Sequence, residues 1–260
     1  MTSAACCACL RTPERSDHMP TSPLRHALLL AGLIGCLMPS AQAALTISMT
    51  RIIQASDKQS SSIIVANPST QAFAAQSWVN TDADDTTTAV PLIATPALFR
   101  LDAGNEQTVQ INRIPNDLPN DRESLFYFNL QEIPQADVEP SNTLTIALRT
   151  RIKLFYRPAD LQGSPLDGLK DLQWSLQQIH GTAQLVVSNP SPYYYTFRHV
   201  HIGKPTERTR VEAREMVAPK STQTYALPGI AIHPGMQVTF TTINDYGGTT
   251  TERVAPIAEL

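Results

Sequence analysis

The chain has 260 residues, a formal net charge of −3, and charged side chains at 17% of its positions. A chain of this length has room for one large domain or two modest ones. The small negative net charge gives no electrostatic basis for a nucleic-acid partner, and none is predicted.

The first 43 residues have the pattern of a secretory signal peptide. An apolar stretch at 24–38 is followed by small residues at Ala41 and Ala43, which fit the A-x-A pattern that precedes cleavage. The stretch is too short for a comfortable membrane span. We therefore expect residues 1–43 to be removed and the mature chain to begin at Ala44.

Two alternatives concern this leader. An ordinary signal peptide would begin at Met19, which would make residues 1–18 an over-assigned start. The segment around Cys36 weakly resembles a lipoprotein processing site, whose acylated cysteine would hold the protein at a membrane. All four cysteines lie before residue 44. The mature chain is thus expected to lack cysteine and to depend on core burial alone.

From residue 45 onward the sequence is a series of short strands separated by turns. Apolar and β-branched runs predict strands at 45–53, 61–66, 73–79, 89–94, 97–101, 107–111, 124–133 and 143–158. Turn signals recur every 8–12 residues or so, which is typical of an immunoglobulin-like sandwich. No stretch shows sustained helical periodicity.

A second all-β domain is predicted after the densest interior cluster of Pro, Gly and Asp, at 157–168. Strand patterns resume at 172–179, 183–188, 193–202, 222–227, 236–244 and 249–254. We therefore predict an N-terminal domain at 44–158 and a C-terminal domain at 159–260. No internal repeat between the two halves is expected.

The segment 143–158, TLTIALRTRIKLFYRP, alternates between apolar and cationic residues. Such alternation predicts a strand with one apolar face, and its length of roughly 45 Å exceeds what one small domain can cover. The lower half can be covered by its own domain. The upper half, at Leu144, Ile146 and Leu148, is expected to be an exposed apolar edge, which is usually an aggregation liability.

Signatures of enzymes are missing from the sequence, and no catalysis, cofactor or metal site is predicted. His199 and His201 share one face of a predicted strand, but two imidazoles without a third ligand do not make a metal site. We interpret them as exposed histidines. The mixed charges at 206–215 predict a solvated loop.

Five motifs resemble those of the periplasmic pilus chaperones, the family typified by PapD. They occur at 96–101 (PALFRL), 118–134 (LPNDRESLFYFNLQEIP), 146–158 (IALRTRIKLFYRP), 189–194 (NPSPYY) and 243–248 (INDYGG). The resemblance implies two immunoglobulin-like domains set at an angle, with a subunit-binding cleft between them. It also implies a periplasmic location, and pilus subunits and an outer-membrane usher as partners.

The resemblance also assigns roles to particular residues. Arg51 and Lys153 match the cations that hold the C-terminal carboxylate of a pilus subunit. We expect both to lie in a wet cleft. Leu144, Ile146 and Leu148 match the residues that such chaperones lend to a subunit by strand addition.

Three further positions match a buried charged trio that joins the two domains of the family. They are Arg157, Glu123 and Asp245, and a planar guanidinium can bridge two carboxylates. The short polar segment 134–142 (PQADVEPSN) resembles the short-loop subfamily, which assembles rod-like pili. The chain departs from some members of the family in lacking a disulfide in its second domain.

Two other classes of secreted protein remain open at this point. A pilus subunit or adhesin would be a single incomplete domain with a cysteine pair, whereas this chain has two domains without cysteine. A carbohydrate-binding protein would need an aromatic platform. The only aromatic cluster, at Tyr193–Tyr195, is better suited to core or cleft packing. A free chaperone could also dimerise through its exposed strand.

Overall fold

The computed structural model describes residues 45–133, 146–179, 182–230 and 232–258. The predicted signal peptide, the short polar segment at 134–142 and all four cysteines lie outside these ranges. Almost all regular structure in the described residues is β-strand, as the sequence predicted. No helix in these ranges is long and apolar enough to cross a membrane.

The first domain consists of two sheets. The four-stranded sheet has the order β1-β3-β7-β5, with β1 at Thr46–Ile47, β3 at Ser60–Ala66, β7 at Glu106–Arg113 and β5 at Leu92–Thr95. The five-stranded sheet has the order β2-β9-β8-β4-β6, with β2 at Arg51–Ala55, β9 at Arg149–Arg157, β8 at Ser124–Ile133, β4 at Phe73–Asn80 and β6 at Leu98–Leu101. All neighbouring strands are antiparallel except β2 and β9, which are parallel.

The core of the first domain lies between these sheets because alternate residues of each strand point inward. The central strands contribute side chains without solvent exposure, among them Val65, Val109, Phe128 and Leu154. Burial of each such side chain contributes about 1.5–3 kcal/mol. Apolar packing therefore supplies the cohesion expected of a mature domain without cysteine.

The predicted strand at 45–53 is two strands in the structure. β1 belongs to the four-stranded sheet and β2 to the five-stranded sheet, and the chain crosses between them at residues 48–50. Ser48 N donates to Ile64 O at 3.0 Å, and its Oγ accepts from Ile64 N at 3.2 Å. Continuous apolar alternation in the sequence cannot reveal a crossing of this kind, because both halves turn apolar residues to the same core.

The second domain is built from one seven-stranded sheet of order β13-β12-β15-β16-β10-β11-β14. Its strands are β10 (Gln173–Ile179), β11 (Thr182–Asn189), β12 (Phe197–Lys204), β13 (Glu207–Val211), β14 (Ser221–Ala226), β15 (Gln237–Thr242) and β16 (Arg253–Ala258). β10 and β16 are parallel, and all other pairs are antiparallel. Both ends of the sheet face one core cluster, so the sheet curves around that core.

An aromatic cluster occupies the centre of the second core. The Trp174 ring centroid lies 5.3 Å from that of Phe197 and 5.3 Å from that of Phe240, in tilted arrangements that favour contact between ring edges and faces. Tyr193 and Tyr195 are each 3% exposed and belong to the same core. The expectation that this tyrosine cluster is used for packing is confirmed for these two residues.

The prediction of a loop at 206–215 was wrong over residues 207–211. Residues 207–211 form the edge strand β13, which pairs with β12 from Glu207 opposite Lys204 to Val211 opposite Val200, whereas a loop was expected. The charged side chains of this strand point to solvent, and an edge strand with such charges resists edge-to-edge pairing. A single helical turn, α1 at Pro165–Gly168, also precedes a 3-10 turn at Leu169–Asp171.

A short motif recurs in the two domains, although the sequence halves showed no repeat. Asn67 Oδ1 accepts from Ser69 N at 3.1 Å, and Asn67 Nδ2 donates to Gln71 O at 2.7 Å. Asn189 repeats the first contact with Ser191 N at 3.0 Å. Each Asn-Pro-Ser sequence thus forms an Asx turn at the end of a strand, β3 in the first domain and β11 in the second. The asparagine side chain hydrogen-bonds to backbone groups that the end of the strand would otherwise leave unpaired.

Candidate functional site

β9 is shorter than the strand predicted from its sequence. It begins at Arg149, and just before it Glu132 N donates to Leu148 O at 2.9 Å. Ile146 is 65% exposed and Leu148 is 50% exposed. The third predicted member of this apolar row, Leu144, lies outside the described residues.

The two edges of β9 differ in how they are paired. On one edge, β8 pairs with β9 from its first residue, with Gln131 opposite Arg149. On the other edge, β2 begins at Arg51, opposite Lys153. In the described part of the chain, no strand pairs with this second edge before Lys153. The first half of β9 therefore presents unpaired backbone donors and acceptors beside the exposed Ile146 and Leu148.

Arg51 and Lys153 lie side by side because of this register. Directly opposite residues of a sheet point to the same face, so both side chains enter the space between the domains. Lys153 Nζ donates to Thr196 Oγ1 of the second domain at 3.2 Å. Burial, together with the positive charge of Arg51, lowers the pKa of Lys153 to about 8, and the charge of Asp82 opposes this shift.

Arg51 is more buried than the sequence led us to expect. Its exposed fraction is 7%, its Nη1 donates to Ile243 O of the second domain at 3.0 Å, and its guanidinium lies 5.8 Å from the Phe155 ring centroid. Burial lowers its pKa, and the charges of Asp245 and Glu123 act against that shift. The expectation of a wet cleft is therefore wrong for Arg51, which also connects the domains.

The cationic face of β9 continues beyond Lys153. Arg151 lies over the Tyr127 ring at 3.7 Å, and Arg149 lies over the Trp78 ring at 4.9 Å. Both arginines form ion pairs with Asp84 in the acidic turn that follows β4. This turn therefore offsets part of the positive charge of Arg149 and Arg151, whereas no ion pair with Lys153 or Arg51 occurs among the described residues.

Arg157, Glu123 and Asp245 form the trio that the sequence indicated. Arg157 Nε donates to Glu123 Oε1 at 2.7 Å, and its two terminal nitrogens donate to Asp245 at 2.7 and 2.9 Å. Burial alone would lower the pKa of Arg157, but the hydrogen bonds and charges of the carboxylates raise it. Only Glu123 is fully buried, with its side chain 2% exposed, whereas that of Asp245 is 33% exposed.

Other contacts between the domains surround this trio. Glu123 Oε2 accepts from Tyr194 N at 2.7 Å, and Glu123 N donates to Pro192 O at 2.9 Å. Gly247 has a positive φ of 82° and lies against the side chain of Thr50, so a Cβ at this position would collide with the first domain. The first glycine of the INDYGG motif is thus required both by its backbone conformation and by its close approach to Thr50.

A pocket of about 350 Å³ lies behind Arg51 and between the domains. Its lining includes Phe155 and Tyr194, whose ring centroids are 5.6 Å apart. Sequence reasoning missed Phe155, because it occupies a position on the cationic side of β9. Its side chain is nevertheless 3% exposed, since the second domain covers that face.

His199 and His201 both lie in β12. Their ring centroids are 6.3 Å apart, and no group of three or more potential ligands occurs among the described residues.

Comparison with known proteins identifies the family. A model of the N-terminal domain of the PapD pili and flagellar-assembly chaperones matches residues 44–162, and a model of the C-terminal domain of the PapD pili-assembly chaperones matches residues 167–254. This chain belongs to the PapD family of pilus-assembly chaperones. The match includes both domains, so it favours this family over a single-domain pilus subunit or a carbohydrate-binding protein.

Individual relatives resemble the chain over most of its length. The YadV chaperone of Escherichia coli K12 is 36% identical over 80% of this chain and 88% of its own length. The chaperone PapD of Escherichia coli is 35% identical over 86% of this chain and 92% of its own. The crystal structure of YadV superposes with a TM-score of 0.71, covering 82% of this chain and 99% of YadV.

A solved complex provides a further comparison. The Salmonella enterica SafA pilin in complex with the SafB chaperone matches with a TM-score of 0.70 at 25% identity, over 83% of this chain and 97% of the matched one.

Proposed function

We propose that this protein is a periplasmic chaperone that binds a pilus subunit by donating the first half of β9 as an edge strand. The observation that carries the proposal is the unpaired edge before Lys153, beside the exposed Ile146 and Leu148. An incomplete sandwich that lacks one strand would satisfy these backbone groups and cover the aliphatic side chains. Leu144 is proposed to extend the same row.

The adjacent cations provide the second part of the proposal. The unpaired edge of β9 stops where β2 begins to pair with it, at Arg51 and Lys153. A partner strand that lies along this edge would therefore bring its terminus close to both cations. A C-terminal carboxylate accepts several hydrogen bonds, and charge-assisted bonds contribute about 1.5–3 kcal/mol each. The anchor would fix the register, and a slip of one residue would turn the apolar side chains of β9 to the wrong face.

Arg157, Glu123 and Asp245 are proposed to fix the angle between the domains. Their hydrogen bonds join β9, the segment before β8 and the turn after β15. We place the domains at 44–158 and 159–260, with residues 1–43 as a removed leader.

Delivery of the subunit to an outer-membrane usher and a non-catalytic role follow from membership of the family and are part of the same proposal. The SafA–SafB complex supports a pilus subunit as partner. A second copy could occupy the same edge when no subunit is present.

The test uses a synthetic peptide with alternating aliphatic residues and a free C-terminal carboxylate, together with the same peptide amidated at its C terminus. Calorimetry should show binding of the free acid and a loss of at least tenfold in affinity for the amide. Equal affinity for both peptides would remove the carboxylate anchor. Absence of binding to both, with co-purification of a glycan instead, would contradict the chaperone function.

A further inference from the structure

The sheet of the second domain has a gap beside β16. On one side, β15 pairs with β16 along residues 253–256. On the other side, β10 pairs with β16 at Ile257 and Ala258. Within the described residues, no strand pairs with this second side of residues 253–256. Four residues of a strand span about 13 Å, so the gap presents a short edge with unpaired backbone donors and acceptors.

The gap arises because the chain before β10 is not extended. Residues 165–168 form α1, residues 169–171 form the 3-10 turn, and β10 begins at Gln173. Helical turns bond within themselves, so they cannot continue a strand ladder beside β16. Arg253 Nη2 donates to Leu166 O at 3.4 Å, which connects the start of β16 to α1 across the gap.

A groove of about 720 Å³ follows this unpaired edge. Its lining includes the core residues Trp174 and Phe240, and also Val254, which is 56% exposed. In the described part of the chain, Trp174 Nε1 and Arg253 Nε are buried without a hydrogen-bond partner. Both groups can only donate, so the groove suits a ligand that brings hydrogen-bond acceptors.

The charges around the groove also favour one kind of ligand. The charged side chains in its lining are Lys170, Glu252 and Arg253. Glu252 accepts from Arg208 Nη1 at 3.0 Å, whereas no ion pair with Lys170 or Arg253 occurs among the described residues. Lys170 belongs to the 3-10 turn and Arg253 to β16, so each side of the groove has a cation whose charge is not offset. An acidic residue in the ligand would complement both.

We propose that this groove binds an extended segment of a partner protein, in which β-branched residues surround an acidic one, by adding it as a strand beside β16. The added backbone would pair with residues 253–256, and its carboxylate would lie between Lys170 and Arg253. A second copy of this chain fits less well, because among the described edge strands only β13 contains an acidic residue, and arginines follow it. The proposal is independent of subunit binding at β9.

The first test uses the mature protein and a peptide of alternating valine and threonine with one central aspartate, capped at both termini so that it has no terminal carboxylate. Calorimetry should show binding, and hydrogen exchange should slow at the amides of residues 253–255. Two further peptides are N-methylated at their odd or at their even positions. Their affinities should differ at least tenfold, because only one set of amides faces β16. Equal affinities, or unchanged exchange at residues 253–255, would overturn the proposal.

The second test reverses a charge. Lys170→Glu should weaken binding of the aspartate peptide at least tenfold and should bind more tightly a peptide with lysine in place of the aspartate. Lys204→Glu, at an exposed lysine of β12, is the matched control and should bind both peptides as the wild type does.

A third comparison separates this groove from the edge of β9. Ile146→Asp should bind the capped peptide with unchanged affinity, and Lys170→Glu should retain binding of the peptide with a free C-terminal carboxylate. Loss of the capped peptide in Ile146→Asp but not in Lys170→Glu would assign that peptide to β9 and overturn the proposal. Failure of the carboxylate anchor would leave the capped-peptide results unchanged, so the two proposals fail separately.

Discussion

Arg51 and Lys153 lie directly opposite each other in the parallel pair formed by β2 and β9. Each also contacts the second domain, Arg51 through Ile243 O and Lys153 through Thr196 Oγ1. Two cations held this close repel each other, and burial adds to the cost of their charges. An anion bound between them would relieve both penalties, which gives the pair a physical reason to accept a carboxylate.

Lys153→Ala should weaken the binding of a peptide with a free C-terminal carboxylate by about tenfold or more, because one charge-assisted hydrogen bond is lost. The fold should survive, since Lys153 makes one hydrogen bond, to Thr196, within the described part of the second domain. Calorimetry with the free and the amidated peptide measures the effect. Lys204→Ala, at an exposed lysine, is the matched control. Unchanged affinity in folded Lys153→Ala would contradict the anchor.

The lowered pKa of Lys153 predicts a dependence on pH. Lys153 of the unbound protein loses its proton as pH rises through about 8, so its affinity for the peptide carboxylate should be nearly constant between about pH 5 and 7 and fall above pH 8. Because the unfolded chain retains that proton up to its ordinary pKa of 10.5, the contribution of Lys153 to the unfolding free energy should increase between pH 8 and 10.5. Binding and stability therefore respond in opposite directions.

The arginine variant provides the control for this prediction. Arginine remains charged across the whole range, so Lys153→Arg should bind the peptide with an affinity that no longer falls above pH 8. The same decline in Lys153→Arg would assign the pH dependence to another group.

Arg157→Ala should destabilise the protein by about 3–5 kcal/mol, because it leaves Glu123 buried without its cation. Asp245 is partly exposed and should contribute less to the loss. Denaturant unfolding measures the change. The control is Arg208→Ala, which removes an exposed ion pair with Glu252 and should change stability by less than about 1 kcal/mol. Unchanged stability with lost peptide binding would instead place Arg157 among the ligand contacts.

Ile146→Asp and Leu148→Asp should block peptide binding and leave the unfolding free energy nearly unchanged, since both side chains are exposed in the free protein. Each removes an aliphatic burial of about 1.5–3 kcal/mol from the complex. The apolar contribution should not depend on salt, whereas that of Lys153 should weaken as ionic strength rises. Val254→Asp, at a 56% exposed residue of the second domain, tests whether any surface carboxylate has the same effect.

The sequence predicted the class of the fold, which depends on local alternation, and its motifs contain the three residues that the structure pairs, Arg157, Glu123 and Asp245. It did not reveal that the chain crosses between sheets after Ser48, since one apolar pattern continues through both strands. It also placed Phe155 on a polar face, because alternation within one strand contains no information about a second domain that covers that face. The burial of Arg51 escaped prediction for the same reason.

The β13 hairpin shows a different limit. Its charged residues Glu207, Arg208 and Arg210 resemble those of a solvated loop, because neither face of the strand is apolar before its last residue. Pairing with β12 through the backbone is what makes it a strand. Side-chain patterns alone do not report such backbone pairing at a sheet edge.

The position of β16 has a consequence for the order of folding. This strand comes last among the described strands of the chain, yet it lies at the centre of the seven-stranded sheet, between β15 and β10. If the chain is exported with its N terminus first, the first domain can fold as soon as β9 emerges. The sheet of the second domain cannot be completed until β16 has been exported, because β16 pairs with both β15 and β10. Before then β10, β11 and β14 are not connected by strand pairing to β12, β13 and β15. Asp245 precedes β16 in the chain, so Arg157 can begin to recruit the second domain before that domain is complete.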